Sequence, residues 1–195
     1  MRRYVDAIKA FEGAMKASDD LDVKHTSYLN IAQVQEMAGN NDSAIINYER
    51  LINIERQILA LDENQVLMPD VIAKKIASLY VKKGDHKKAR MAYNQAIQLA
   101  TSPTEKSWAL LDLTLLLDKM GHASEAIAAA ELAVSLTPAL PKGHFILGEL
   151  YLRSGNKKSS IEVVPLGTTA IFSPNLISPL RWLVILAKSM LVKVI

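Results

Sequence analysis

Apolar residues recur every three or four positions through most of this 195-residue chain. One series runs through Leu110, Leu113 and Leu117, and a second series after a short turn includes Ala126 and Ala130. This period places apolar side chains on one face of an α-helix, so that two such helices can pack together. The pattern therefore predicts pairs of antiparallel helices and almost no β-strand.

Four glycines set the frame of these helix pairs. They are Gly39, Gly84, Gly121 and Gly155, spaced 45, 37 and 34 residues apart. Each has a small residue seven positions earlier and another five positions later, as in Ala77, Gly84 and Ala89. Small residues allow two helices to approach closely, and glycine accommodates the turn between them. A helix pair that recurs in this way predicts an all-α solenoid.

The arrangement resembles the tetratricopeptide repeat, a helix-turn-helix motif of about 34 residues. Its positions are filled in one repeat by Leu113, Thr114, Leu117, Gly121, Ala126, Ala130, Ala133 and Pro138. Two earlier repeats fill them with Ile76, Ala77, Tyr80, Gly84, Ala89, Tyr93 and Ala96, and with Ile31, Ala32, Gln35, Gly39, Ala44, Tyr48 and Leu51. Leu147, Gly148, Tyr151 and Gly155 fill half of a fourth. The resemblance implies a right-handed α-solenoid of antiparallel helix pairs, each with a helix A and a helix B.

The solenoid is predicted to cover residues 1–162. A helix B without its helix A lies at 3–17, full repeats at 25–69, 70–106 and 107–140, and a partial repeat at 141–162. The first full repeat is long because its helix B continues from Asp42 to about Leu61.

The unpaired first helix leaves one apolar side without a cover, formed by Val5, Ile8, Phe11 and Met15. Solenoid ends normally carry polar residues. We therefore expect the chain to belong to a longer array, to self-associate, or to pack this helix on a partner. A solvated cap with a few exposed apolar residues is the alternative.

The last residues, 163–195, form a divergent tail. Pro165 interrupts the expected helix B, and segment 180–195 is strongly apolar with Arg181, Lys188 and Lys193 as its charges. It is too short and too charged for a clean membrane span. Three interpretations stay open: a capping helix on the last repeat, a segment that lies on a membrane or inserts into a partner, and a divergent end made by alternative splicing or a shifted reading frame.

Composition narrows the functional classes. The chain has no cysteine, which excludes a disulfide framework and a zinc–thiolate site. Its amino terminus has no apolar run like a signal peptide, so we expect a cytoplasmic protein. Lysines concentrate between Lys74 and Arg90, but no aromatic or base-reading motif accompanies them. A solvated helical face is thus favoured over a nucleic-acid surface.

No catalytic or metal-binding constellation stands out. The four histidines, His25, His86, His122 and His144, have no second histidine and no carboxylate four positions later, and we expect ordinary surface residues. No glycine-rich phosphate loop occurs. We expect neither enzymatic activity nor a cofactor.

The resemblance implies that the helices A line a concave groove that holds a peptide or helix of a protein partner. An apolar part of the groove is expected from Trp108, Leu111, Leu115, Phe145 and Ile146, and a polar or cationic part from Lys74, Lys75, Lys82 and Asn30. Large apolar groups on such a face typically mark binding sites. The alternative is that these residues contact neighbouring helices, or that segment 180–195 folds back into the groove.

Some members of the family grip the acidic carboxyl terminus of heat-shock chaperones with lysine, asparagine and arginine side chains. The corresponding positions here hold Leu29, Gln33, Lys75, Trp108 and Asp112. Because Asp112 would repel a ligand carboxylate, we do not expect this ligand, although an acidic group near Lys74 and Lys75 stays open. The sequence thus predicts a non-enzymatic adaptor or scaffold, with a structural subunit of a large assembly or a tail-dependent membrane-associated assembly factor as alternatives.

Overall fold

The computed structural model describes residues 2–155, which form eight α-helices without a strand among them. They are α1 (Arg2–Ala17), α2 (Leu21–Met37), α3 (Asn41–Leu61), α4 (Pro69–Lys82), α5 (His86–Leu99), α6 (Pro103–Lys119), α7 (Ala123–Leu136) and α8 (Pro141–Arg153). The predicted all-α class is confirmed. The expected fourth helix B, Pro165 and segment 180–195 lie outside the described residues.

The helices pack in an alternating order that builds a solenoid. Helices α2 and α3, α4 and α5, and α6 and α7 form hairpins, each consisting of a helix A followed by its helix B. Each helix B also packs against the next helix A, and α1 packs against α2 in this way. The helices A α4, α6 and α8 form one layer, because α4 lies beside α6 and α6 beside α8, and side chains of α4 reach Glu36 of α2. The helices B cover the other side of this layer.

Pairs of small residues occupy the tightest part of each hairpin. Ala77 of α4 and Ala89 of α5 have no exposed surface, and the same holds for the residues at these positions in the neighbouring hairpins, Ala32, Ala44, Thr114 and Ala126. Thr114 fits this role because its hydroxyl donates a hydrogen bond to the Leu110 carbonyl of its own helix, at 2.8 Å. Its polar group is thereby satisfied without a partner across the interface.

The glycines end each helix A in the same way. Gly39, Gly84, Gly121 and Gly155 have φ between 76° and 80°, a left-handed conformation that side chains with a Cβ rarely adopt. In the turn at Gly121, the amide of Gly121 donates to the Asp118 carbonyl, and the amide of His122 donates to the Leu117 carbonyl at 2.9 Å. These two bonds form a Schellman motif, which satisfies the last carbonyls of the helix.

The extended helix of the first repeat is present. Helix α3 has 21 residues, whereas α5 and α7 have 14 each. Its additional turns are held by packing, because Ile54 and Ile58 are at most 9% exposed. The chain then returns through a loop at 62–68 to begin α4 at Pro69, whose missing amide hydrogen costs nothing in a first turn.

The uncovered side of α1 differs from the predicted one. Val5 is 51% exposed, as expected, but Ile8, Phe11 and Met15 are half-buried. The reason is that α1 uses part of this apolar side to pack against α2.

Ion pairs join successive repeats at the carboxyl ends of the helices A. Glu36 of α2 accepts hydrogen bonds from Lys75 and Lys82 of α4, at 3.1 Å and 3.4 Å, and from the Tyr48 hydroxyl at 3.0 Å. Burial alone would raise the pKa of Glu36, but the hydrogen bonds from Lys75 and Tyr48 outweigh it and the pKa is lowered. In the same way, Asp118 of α6 accepts from Arg153 of α8 at 2.8 Å.

The turn glycines provide a first prediction. Replacing Gly121 by alanine should lower the free energy of unfolding by about 1 kcal/mol, because alanine is strained at a positive φ even where its Cβ meets no neighbour. The matched control is Gly13→Ala in the middle of α1, where a Cβ also meets nothing and φ is not left-handed. That change should raise stability by about 0.5 kcal/mol, since alanine favours helices. Urea unfolding followed by circular dichroism measures both, and shifts of the same sign would contradict the assigned turn.

The Glu36 ion pairs provide a second prediction. Glu36→Gln should destabilise the chain by about 1 kcal/mol at pH 7, because the side chain is only partly exposed and three hydrogen bonds converge on its charge. A carboxyl whose pKa is lowered by folding stabilises above its unfolded pKa and loses this effect as the pH falls. The difference between wild type and variant should therefore shrink in urea unfolding below about pH 4.5.

The control for this second prediction is Glu49→Gln. Glu49 is exposed on α3 and has no ion pair among the described residues. Its replacement should change the free energy of unfolding by less than about 0.5 kcal/mol. A loss that equals that of Glu36→Gln, or a Glu36→Gln effect that persists undiminished at pH 3, would show that the pairs do not stabilise the repeats.

Candidate functional site

One face of the helix A layer points away from the helices B. In α4, the exposed residues Val71, Lys75, Ser78 and Lys82 follow each other at intervals of four, three and four, which places them on a single stripe. We call the face formed by these stripes of α2, α4, α6 and α8 the A wall. It is the surface that corresponds to the predicted groove.

Each helix A presents one large apolar side chain that remains substantially exposed on the A wall. These residues are Met37 of α2 (64% exposed), Val71 of α4 (39%), Leu115 of α6 (48%) and Leu152 of α8 (46%). Only Leu115 belongs to the residues predicted for the site. The other three occupy positions of their repeats that face the wall. The sequence could have shown them by an apolar residue at a position that the hairpin does not bury.

Trp108, the predicted anchor, lies half-buried at the start of α6. The ammonium of Lys142, at the start of α8, lies 5.0 Å from the centre of its ring system, within the range of a cation–π contact. Trp108 therefore connects two successive helices A and keeps part of its surface open to solvent.

Two of the predicted contact residues lie behind the wall. Leu111 has no exposed surface and Ile146 is 6% exposed, because both side chains point into the core between the helix layers. They support the wall but offer no surface to a ligand. Phe145 is half-buried and packs against the same core.

The predicted cationic part of the wall is compensated by acidic residues of the chain itself. Lys75 and Lys82 share Glu36, as described above. Lys74 lies 3.5 Å from the Asp70 carboxylate of its own helix, and it also interacts with Asp112 of α6. The lysines that the sequence marks as a positive patch are therefore largely neutralised.

Asp112 is a partly buried acid in the middle of the wall. Burial raises the pKa of its carboxyl, and the positive charges of Lys142 and Lys74 oppose this effect. Asp112 also acts on the buried Tyr93 of α5, whose pKa is raised to about 12, mainly by burial. The carboxyl therefore contributes to the charge balance of the wall between α4, α6 and α8.

Lys119 is an exception to this compensation. In the interfaces between α2 and α4 and between α6 and α8, an acidic residue lies three positions before the turn glycine of one repeat. It pairs with a basic residue two positions before the turn glycine of the next repeat, as Glu36 does with Lys82 and Asp118 with Arg153. Between α4 and α6 the acid position holds Val81 and the base position holds Lys119. Lys119 is exposed and has no ion pair among residues 2–155. Alignment of the repeats in the sequence reveals the exception at Lys119, whereas the amino-acid composition alone does not.

The predicted polar contact Asn30 is half-buried on α2. Its side-chain amide donates a hydrogen bond to the Thr26 carbonyl one turn earlier, at 2.8 Å. One of the two amide hydrogens of Asn30 is therefore engaged within its own helix.

The histidines differ in part from the expected surface residues. His25 is half-buried, and its Nε2 lies 3.1 Å from the Glu55 carboxylate of α3. Burial raises the pKa of Glu55, and the bond from His25 opposes this. His122 lies 2.8 Å from Glu125, three residues later. Within residues 2–155, no group of three or more potential ligand side chains is arranged to hold a metal ion.

Two clefts lie away from the A wall. One of about 480 Å³ is lined by Met15 of α1, Ile31 and Gln35 of α2, and Ile46 and Arg50 of α3. The other, of about 460 Å³, is a polar depression around the turn at Gly39. Neither contains a residue predicted for the site. None of the helices in the described part of the chain has the length and apolar character that a bilayer span requires.

Comparisons with known families and structures agree with this architecture. Two models of the tetratricopeptide repeat match the chain, one over residues 26–54 and one over residues 75–103. The match over residues 26–54 covers most of the hairpin of α2 and α3, and the match over residues 75–103 covers most of the hairpin of α4 and α5. No curated protein sequence matches the chain.

Several solved structures share the fold. A crystal structure of MamA superimposes with a TM-score of 0.58 at 20% sequence identity, over 82% of this chain and 84% of the other. The apo form of RapI gives 0.68 at 12% identity, over 83% of this chain and 47% of the other. A tetratricopeptide repeat protein from Parabacteroides merdae ATCC 43184 gives 0.59 at 19% identity, over 82% and 57%. The matched repeats and the shared solenoid fold identify the chain as a tetratricopeptide-repeat protein.

Proposed function

We propose that this chain is a non-enzymatic adaptor that binds a segment of a partner protein along the A wall. Proteins built from this repeat are generally interaction scaffolds without catalytic activity, which agrees with the absence of a catalytic constellation in the sequence. The proposal rests mainly on the four exposed apolar side chains that the helices A present on one face, Met37, Val71, Leu115 and Leu152.

These apolar groups favour a ligand that crosses several repeats. A single exposed apolar residue is normal on a protein surface, but a series on one face that also carries a half-buried tryptophan is typical of a binding surface. Because one such residue comes from each helix A, a partner segment with spaced apolar side chains would bury several of them at once. An extended strand or an amphipathic helix both provide such spacing.

The charge distribution limits the polar part of the ligand. The lysines near the middle of the wall are paired with Glu36, Asp70 and Asp112, so that a strongly acidic ligand would have to displace these partners. An acidic group that binds Lys119 would displace no acidic partner among residues 2–155. We therefore propose that the ligand is mainly apolar and places one acidic group beside Lys119.

A peptide selection followed by matched variants tests this function. Peptides of 12 residues from a random display library are selected on the full chain, and the affinity of the best one is measured by calorimetry. Leu115→Ala should weaken it by about 1 to 2 kcal/mol, and Trp108→Ala by about 2 kcal/mol, since truncation of a contact residue removes buried apolar area. Lys119→Glu should weaken binding of a peptide with an acidic residue and not of its amide variant.

The matched control is Leu132→Ala. Leu132 of α7 is 49% exposed, nearly the same as Leu115, but it lies on a helix B. Its truncation should change the affinity by less than about 0.5 kcal/mol. Selected peptides that are equally sensitive to both leucine substitutions, or insensitive to Leu115 and Trp108 alike, would exclude the A wall as the binding surface.

A further inference from the structure

A cleft of about 480 Å³ opens between α1 and α3, two helices that do not pack against each other. Gln35 of α2 lines this cleft, at the repeat position that holds a large residue in each later helix A: Tyr80, Leu117 and Tyr151. Asn47 of α3 also lines it, at a position that holds alanine in α5 and α7. The first repeat thus has two amides where the others have packing residues. We propose that this cleft binds the carboxyl-terminal end of a peptide chain.

The two amides leave hydrogen-bonding groups for a ligand. Asn47 is only 7% exposed, and its side-chain nitrogen donates to Oε1 of Gln35 at 2.8 Å and to the Ser43 carbonyl at 2.9 Å. Both partners are acceptors, which fixes the orientation of the Asn47 amide. No hydrogen bond within residues 2–155 uses the side-chain oxygen of Asn47 or the side-chain nitrogen of Gln35. One acceptor and one donor therefore remain, and a peptide group needs one of each.

The charges that line the cleft favour an anion. Lys16 of α1 and Arg50 of α3 are both exposed, and neither forms an ion pair within residues 2–155. The guanidinium of Arg50 also lies 5.9 Å from the centre of the Tyr28 ring, a cation–π contact that restricts its position. Glu12 lines the same cleft and opposes an anion, but the two cations outnumber it. A ligand with a single carboxylate suits this balance.

Apolar side chains complete the lining. Ile31 of α2 is 2% exposed, Met15 of α1 is half-buried, and Ile46 of α3 is 48% exposed. They offer an apolar surface beside the amides and the cations. The volume of the cleft lies within the range of small-ligand sites and is suited to a few residues rather than to a helix. A carboxylate, a peptide group and an aliphatic side chain occur together at the end of a peptide chain whose last residue is aliphatic.

A short peptide tests the proposal on the full chain. The probe is acetyl-alanyl-alanyl-leucine with a free carboxyl group, and its matched control is the same peptide with a terminal carboxamide. NMR on the isotope-labelled chain follows the side-chain amide signals of Gln35 and Asn47 during titration. The free acid should shift both signals in a saturable manner. The carboxamide should bind at least about fivefold more weakly, because it lacks the charge that Lys16 and Arg50 attract.

Two tyrosine substitutions on α2 locate the site. Gln35→Tyr introduces the residue that α4 has at this position and should fill the cleft, so that the free acid binds at least about tenfold more weakly. Gln33→Tyr adds the same side chain at an exposed position of the same helix and should change the affinity less than about twofold. The Asn47 signal reports binding in both variants, and circular dichroism verifies that both retain their helix content.

Three charge substitutions test the carboxylate without filling the cleft. Arg50→Gln should weaken binding of the free acid at least about threefold and change that of the carboxamide less than about twofold. Arg56→Gln is the matched control, because Arg56 is exposed on the same helix and does not line the cleft. It should change neither affinity. Glu12→Gln removes the opposing charge and should strengthen binding of the free acid.

The outcomes separate this site from the A wall. The proposal is supported if Gln35→Tyr and Arg50→Gln weaken binding of the free acid while Leu115→Ala leaves it unchanged. It is overturned if the free acid and the carboxamide bind equally, if Gln35→Tyr and Gln33→Tyr have equal effects, or if neither amide signal shifts. A loss of binding in Leu115→Ala would also overturn it, since the peptide would then occupy the wall. None of these results depends on whether the A wall binds its own ligand.

Discussion

The close approach of two antiparallel helices is the constraint on which the remaining structure depends. Small residues at the hairpin contacts, such as Ala77 and Ala89, are completely buried, and a glycine with positive φ reverses the chain between them. Because this contact uses one side of each helix A and the preceding helix B uses another, a third side takes no part in either contact. The A wall is that third side, and the side chains of its stripes are exposed rather than buried in the core.

Electrostatic contacts then restrict what the wall can recognise. Glu36 forms ion pairs with two lysines of the following repeat, and Asp118 forms the equivalent ion pair with Arg153. These partly exposed pairs each stabilise the stack modestly. Their larger effect is to remove the positive patch that the sequence indicates, because a ligand must compete with an acid already in place. If the wall binds as proposed, its compensated charges and repeated apolar side chains would discriminate by the spacing of apolar groups and by Lys119, which has no ion pair among residues 2–155.

The sequence predicts the fold well because the fold depends on local patterns. The turns at Gly39, Gly84, Gly121 and Gly155 require residue types that are visible without coordinates. The site depends on contacts between repeats, which a local pattern does not contain. Leu111 occupies a wall position in the frame but is completely buried, and the bond between His25 and Glu55 joins residues thirty positions apart. The amino-acid composition predicts neither the ion pair of Glu36 with Lys82 nor the lack of an equivalent ion pair for Lys119 among residues 2–155.

The proposed binding along the A wall would tolerate partner segments of different sequence. On the A wall, single large side chains such as Leu115 and Leu152 project from separate helices, and side chains can adjust to strands or helices of several sequences. As a proposed binding surface, the wall is thus suited to tolerant recognition of a segment rather than to one defined secondary structure.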